Sequence, residues 1–158
     1  MSKKTRIAKI PENLIIHLQR IEFNYDSFKN EKLANSHEFS TNFNLFPYTL
    51  DSYDCQSSKE IDLEKKYPNY QYELTGVICH IGTADYGYEM SYCKNDEGKW
   101  FEFNNSSVNT FDPDNIRTEC FGKYMPDENK QKDWDSVEDI KSAYMLFYRK
   151  VERKVIEI

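Results

Sequence analysis

An α+β fold dominated by antiparallel sheet is what this sequence predicts, and three observations carry the expectation. Aromatics make up 15% of the 158 residues (twelve Tyr, ten Phe, two Trp), while alanine occurs only four times. That mixture suits pleated, half-buried strands better than a helical bundle. Residues 70–81, YQYELTGVICHI, alternate at first and then run continuously apolar, the strongest strand signal in the chain. Segments rich in Gly, Asn, Asp and Ser punctuate the rest at hairpin spacing. A length of 158 residues suits one domain, and a chain of about 150 residues buries roughly 70% of its unfolded surface.

The elements follow in order. LIIHLQR at 14–20 has a bulky, β-branched centre and reads as a buried strand. Residues 24–30, NYDSFKN, suit a turn or hairpin loop. Lys32-Leu33 and then Glu38-Phe39 suggest a second strand pair, ending near LFPY at 45–48. Residues 49–69 are the least apolar stretch, a surface insertion or a short solvated helix around 59–66. After the strand at 70–81, a Gly-containing loop at 82–87 leads into a short strand at 90–93. NDEG at 95–98 has turn chemistry, and KWFEFN at 99–104 returns as the next strand, completing a meander. Asp112-Pro113 is an N-cap followed by proline at the first helical position, and Gly122 stands where a C′ glycine belongs, which predicts a two-turn helix between them. Residues 123–142 read as loop with a short helix after Ser136, and AYMLFY at 143–148 as the last strand. Six or so strands and one or two short helices result.

Composition also excludes function classes. Lys+Arg number 21 against 27 Asp+Glu, a net charge of −6, which argues against nucleic-acid phosphate as a partner. No apolar run approaches the 18 residues of a membrane span, and the basic start leads into no apolar segment like that of a secretory signal. A cytoplasmic protein is expected, with the nucleus as the other compartment open to it. Cys55, Cys79, Cys93 and Cys120 lie in no CxxC, and His17, His37 and His80 are scattered. The spacing predicts four small buried or half-buried thiols, with no metal site and no disulfide. Cys79 and His80, neighbours in a strand, point to opposite faces and cannot make a thiol–imidazole pair. Asp51, Asp54, Glu60, Asp62 and Glu64 read as a solvated face. From the residues alone the task of the chain is open.

Motifs narrow it. IPENLIIHLQRIEF at 10–23 resembles the "LPxxLxxHLxRF" strand of the ubiquitin-specific proteases, papain-like cysteine peptidases that cleave after the ubiquitin C-terminal Gly-Gly. YELTGVICHIGTAD at 72–85 resembles that family's "YELxGVxxHxGTAD", which leads to its "GHYYSY" box. KWFEFNNSSV at 99–108 resembles "KWYxFNDxxV", and ECFG at 119–122 with AYMLFY at 143–148 resembles the closing elements of the large-protein branch. The resemblance covers residues 10–150. It implies a lead-in at 1–9, a partial catalytic domain (the palm half, without thumb or zinc-binding fingers) at 10–150, and a charged tail at 151–158.

The same resemblance assigns site residues. The "GHYYSY" box stands here as GYEMSY, which puts Tyr88 at the catalytic His position. A phenol, with an ordinary pKa near 10 against about 6.5 for imidazole, does not generate a thiolate near pH 7. The residue that orients the imidazole maps to Asn104, and the acidic residue after it is Asn105. Tyr86, Gly87, Glu89 and Asn105 map to the ubiquitin-tail channel, with Glu89 replacing an aromatic residue, and the loops at 24–30 and 81–87 match two blocking loops beside the tail. No cysteine matches the nucleophile box. The implied partners are ubiquitin or a ubiquitinated protein, bound weakly, and a thumb-bearing N-terminal half; no cofactor is implied. The expectation is an inactive part of a deubiquitinating peptidase. The alternatives are a non-catalytic module that binds ubiquitin or another partner, and a decayed chain without a stable fold.

Overall fold

The computed structural model describes residues 3–33, 35–53, 63–122 and 141–152. Among them are nine strands and two short α-helices: β1 (Asn13–His17), β2 (Ile21–Asn24), β3 (Lys29–Lys32), β4 (Asn42–Asn44), α1 (Leu63–Lys66), β5 (Gln71–Gly82), β6 (Gly87–Lys94), β7 (Trp100–Asn104), β8 (Ser107–Phe111), α2 (Ile116–Cys120) and β9 (Ser142–Lys150). One sheet has the strand order β1-β9-β5-β6-β7-β8, with β4 also paired to β5, and β2 and β3 pair separately. The β5–β6–β7–β8 run is an antiparallel meander. The fold is mostly antiparallel sheet with a few short helices, as the composition led one to expect. None of the described helices is long and apolar enough to cross a membrane.

Contacts divide the chain into two compact units. The first comprises residues 1–14, 40–74 and 148–158. Its core is aromatic: Phe43 stacks on Tyr72 and meets Tyr148 edge-on at 4.8 Å, while Phe46 stacks on Tyr67. Burial of rings of this size contributes most of the driving force available to so small a unit. Buried phenols still need partners, and the Tyr72 hydroxyl donates to the Pro11 carbonyl, that of Tyr148 to the Ser40 carbonyl at 2.7 Å.

The second unit, residues 15–39 and 75–147, holds the meander. Val77, Cys79, Met90, Tyr92, Trp100, Ile116, Cys120, Ala143 and Leu146 form its buried interior. Tyr92 is wholly buried, and its hydroxyl sits between Lys141 Nζ at 2.8 Å and a Glu119 carboxylate oxygen at 3.3 Å. Burial first, and the Glu119 carboxylate second, push that phenol far above its ordinary range. The residue is a structural post of the interior.

Several expected elements need correction. The strand expected over 14–20 ends at His17, and its centre is not buried: Ile15 is 54% exposed and Leu14 and Ile16 are half-buried. β1 is the outermost strand of the sheet order, where less packs over either face. No strand forms at Glu38-Phe39, and residues expected to end a strand at 45–48 instead form a 3-10 turn, Phe46–Tyr48, with Pro47 near its start. Proline cannot donate to a ladder and pre-sets the helical φ. β8 was not anticipated at all. The helix at 113–121 is split into a 3-10 turn, Pro113–Asn115, and α2, with the Asp112 carboxylate accepting from the Asp114 N–H as a cap should. The expected loop and helix over 123–140 lie outside the described residues, as do Cys55, Asp54, Glu60 and Asp62.

Candidate functional site

The site is built on the β5–β6 hairpin. Its register pairs Gly82 with Gly87, Ile81 with Tyr88, and His80 with Glu89. Register partners share a face and neighbours alternate. Glu89 and His80 therefore face one way with Gly87. Tyr88 faces the other way, with Met90 and Tyr92. In the next ladder Tyr92 pairs with Glu102, so Asn104, two residues beyond Glu102, lies on the Tyr88 face. The two positions that the resemblance assigns to base and orienter thus share one face of the sheet. Tyr88 is 45% exposed and Asn104 half-buried at the strand end. Asn105 turns the chain into β8 in the left-handed region, at φ 52°, a conformation asparagine tolerates better than most residues.

The opposite face carries a groove of about 470 Å³, lined by His17, Leu18, Gln19, Arg20, Ile21, His80, Ala84, Asp85, Tyr86, Gly87, Glu89 and Tyr144. Three of the four residues assigned to the tail channel, Tyr86, Gly87 and Glu89, come together here. The fourth, Asn105, does not line it. Glycine is required at both ends of the loop that walls the groove. Gly82 has φ +120°, and a Cβ there would stand 2.4 Å from the Tyr86 carbonyl oxygen; a Cβ on Gly87 would stand 2.4 Å from His80 Nε2. Between them the Thr83 N–H donates to the Tyr86 carbonyl at 2.7 Å, and the Tyr86 N–H to the Thr83 hydroxyl at 3.2 Å. Tyr86 itself projects outward, 83% exposed.

Beneath the groove lie two cations whose burial could not be read from the segments that contain them. Arg20 is only 8% exposed. Its Nε donates to the Ala143 carbonyl at 3.0 Å and its Nη1 to the Asn35 carbonyl at 2.6 Å, with Leu33 O at 3.4 Å. Lys32 Nζ donates to the His80 and Gly82 carbonyls, both at 3.0 Å, which fastens β3 to the end of β5. Burial lowers the Lys32 amine to about 8, helped by repulsion from Arg20 and opposed by Cys79. Burial, then Lys32, hold His80 below its ordinary range, with Glu89 pulling the other way. Burial, then Glu89, raise the Tyr144 phenol.

The Lys32 shift has a measurable sign. An amine whose folded pKa lies below its unfolded value binds fewer protons when folded, so the folded state gains stability as pH climbs from about 8 towards the ordinary 10.5. A Lys32→Gln variant lacks that gain. In urea melts at stepped pH, the stability difference between the two proteins is expected to shift in favour of the unaltered chain across this window. A flat difference would mean the amine is solvated.

Cys79 and Cys120 are fully buried and Cys93 half-buried. A hydrogen bond with Cys79, and burial after it, push the Cys120 thiol well up, away from thiolate. Among the described residues no three His, Cys, Asp or Glu side chains converge as a metal site would need. What the geometry offers is an open, partly apolar groove with carboxylates on its rim.

Comparison with known proteins agrees with this architecture. The family model described as ubiquitin carboxyl-terminal hydrolase matches residues 2–148. The chain is 33% identical over 172 aligned residues to ubiquitin carboxyl-terminal hydrolase 34 of Homo sapiens, covering 95% of this chain and 5% of that protein. It is 34% identical over 120 residues to ubiquitin carboxyl-terminal hydrolase 8 of Saccharomyces cerevisiae, covering 74% of this chain and 24% of that one. Among solved structures, the SAGA Ubp8/Sgf11/Sus1/Sgf73 DUB module bound to ubiquitin aldehyde superposes with a TM-score of 0.61 at 27% identity, over 94% of this chain and 26% of that one. The chain thus spans 5–26% of the length of these relatives. With a family model matched over nearly its whole length and the meander in place, the chain belongs to the ubiquitin carboxyl-terminal hydrolase family.

Proposed function

We propose that residues 10–150 are the palm part of a deubiquitinating thiol peptidase whose base has been lost, so that the groove holds the C-terminal tail of ubiquitin or a ubiquitin-like partner without cutting the bond after it. The observation that carries the reading is Tyr88. By the resemblance it stands at the position of the catalytic imidazole, and the register puts it on the same sheet face as Asn104. A phenol there neither generates a thiolate at neutral pH nor returns a proton to the leaving amine. Asn104 keeps a side chain able to orient a base that is no longer present. The groove keeps its walls, through Gly82, Gly87 and the buried cations beneath. Relatives solved with monoubiquitin and with ubiquitin aldehyde support ubiquitin as the tail's owner. Cleavage at this site would need a base other than Tyr88.

The test has two arms. Incubated with a ubiquitin C-terminal electrophilic probe, the chain is expected to show no labelled cysteine by intact mass; labelling at any of the four thiols overturns the inactive reading. Titrated with ubiquitin, the isotope-labelled chain is expected to show amide shifts over residues 83–89. Unchanged spectra at millimolar ubiquitin would remove the holding role.

A further inference from the structure

We propose that β8 is a pairing edge for a second copy of this chain, the two strands running antiparallel about a two-fold axis at Asn109. β8 ends the strand order, and among the described residues no strand pairs with its outer side. Edge strands that stay single are usually guarded by charge, proline or a bulge. Ser107–Phe111, SVNTF, has no charged residue and no proline, pairs with β7 residue for residue, and is exposed at every position before Phe111. The direction of its free backbone groups follows from the meander. The Asn95 N–H donates to the Lys99 carbonyl at 2.9 Å, and bonded pairs then alternate along β6 and β7, falling at Cys93–Phe101 and Ser91–Phe103. Trp100, Glu102 and Asn104 therefore turn their N–H and C=O groups to β8, where Phe111, Asn109 and Ser107 meet them. The two-residue turn at Asn105-Ser106 agrees, since such a turn brings the Ser107 N–H to the Asn104 carbonyl. Val108 and Thr110 are left with N–H and C=O aimed away from the sheet.

Those two residues stand symmetrically about Asn109, so the edge is complementary to itself. An antiparallel copy on this axis sets Val108 opposite the partner's Thr110, and Thr110 opposite the partner's Val108, closing four N–H to C=O bonds. Asn109 then faces the partner's Asn109 in the non-hydrogen-bonded site between them, where Cα atoms lie about 4.5 Å apart. On the other face Val108 and its register neighbour Phe103, 58% and 41% exposed, continue across the axis into their copies as one apolar strip. Charge favours a second copy as the occupant. A net charge of −6 sets two copies against each other over most of their surface. At this edge every facing pair contains a neutral residue: Ser107 meets the partner's Phe111, and Asp112 meets the partner's Ser106. Pro113 follows and ends the ladder, since it has no N–H to give. Five residues a side make a small interface, so the pair is transient and forms at high concentration.

Sedimentation velocity of the whole chain from about 10 μM to about 1 mM tests the pairing. The weight-average mass is expected to climb towards twice that of the monomer. Thr110→Pro removes an outward N–H and no bond to β7, so it should hold the chain monomeric at every concentration while the thermal melt stays cooperative. Asn109→Cys reads the register by a route that does not depend on the proline variant folding. The pair at the axis has the Cα separation of a disulfide, whereas the two copies of residue 108 lie diagonally and farther apart. With oxidised glutathione, Asn109→Cys should therefore cross-link into a covalent dimer about tenfold faster than Val108→Cys or the unaltered chain. A chain that remains monomeric at the highest concentration, its edge free for some other strand, overturns the inference. So does a folded Thr110→Pro variant that pairs as well as the unaltered chain, or a Val108→Cys variant that cross-links as fast as Asn109→Cys.

Discussion

Replacing Arg20 with methionine is expected to lower the free energy of unfolding by about 3 kcal/mol, enough to shift the folded-to-unfolded ratio more than a hundredfold. The guanidinium makes two good charge-assisted bonds, Nε to Ala143 O at 3.0 Å and Nη1 to Asn35 O at 2.6 Å, in a residue only 8% exposed. Hydrogen bonds to a charged donor are each worth about 1.5–3 kcal/mol, and stripped carbonyls left in a dry interior cost about 1–3 kcal/mol apiece. Against this, methionine removes the cost of burying a charge, which is why the net falls below the sum. Arg20→Lys should recover at most half. Its single ammonium cannot reach both the β9 carbonyl and the segment after β3 with the planar fork that arginine supplies. Urea melts should show a lower midpoint with an unchanged slope. A midpoint shift equivalent to less than about 0.5 kcal/mol would show that the guanidinium is not the clamp.

Arg20 illustrates what a sequence can and cannot disclose. The arginine was visible as part of a motif, but its burial was not, because a polar side chain in an apolar run reads equally as a snorkelling surface residue. The same holds for Lys32, which lies at the end of an exposed hairpin strand and yet reaches the carbonyls at the end of β5. By contrast β5 was legible, since Tyr72 and Leu74 on one face and Val77 and Cys79 on the other mark a strand that is buried on each side in turn. β8 was not, because its residues are exposed except at Phe111. An edge strand with water on both sides carries no alternation to read. At the site, alternation alone was enough to separate Cys79 from His80. That Tyr88 and Glu89 point to opposite faces follows from the same rule. The motif read them together as one box, but the fold divides them, Tyr88 to the Asn104 side and Glu89 to the groove.

The loop that walls the groove can be broken by a single methyl group. Gly82→Ala is expected to cost about 2–4 kcal/mol, through two effects. The first is backbone strain: at φ +120° an L-residue is outside its allowed regions, which costs about 1–3 kcal/mol. The second is collision, since the new Cβ would lie 2.4 Å from the Tyr86 carbonyl oxygen and 2.6 Å from the Gly87 Cα. Those atoms are backbone and cannot swing aside as a flexible side chain could. Gly98→Ala provides the comparison. It shares a positive φ, +83°, but its Cβ meets nothing nearer than Lys94 Cε at 3.9 Å, so it isolates the strain at about 1 kcal/mol. The excess cost at Gly82 then measures the collision together with the added strain of φ +120° over +83°. Relieving it means parting the hairpin ends, which breaks the Thr83–Tyr86 bonds and moves Asp85 and Glu89 away from one another. Gly82→Ala should therefore shift amide signals across residues 80–89, while Gly98→Ala leaves those signals unchanged. Equal costs at the two glycines would show that the loop opens freely and that the groove has no fixed wall on this side.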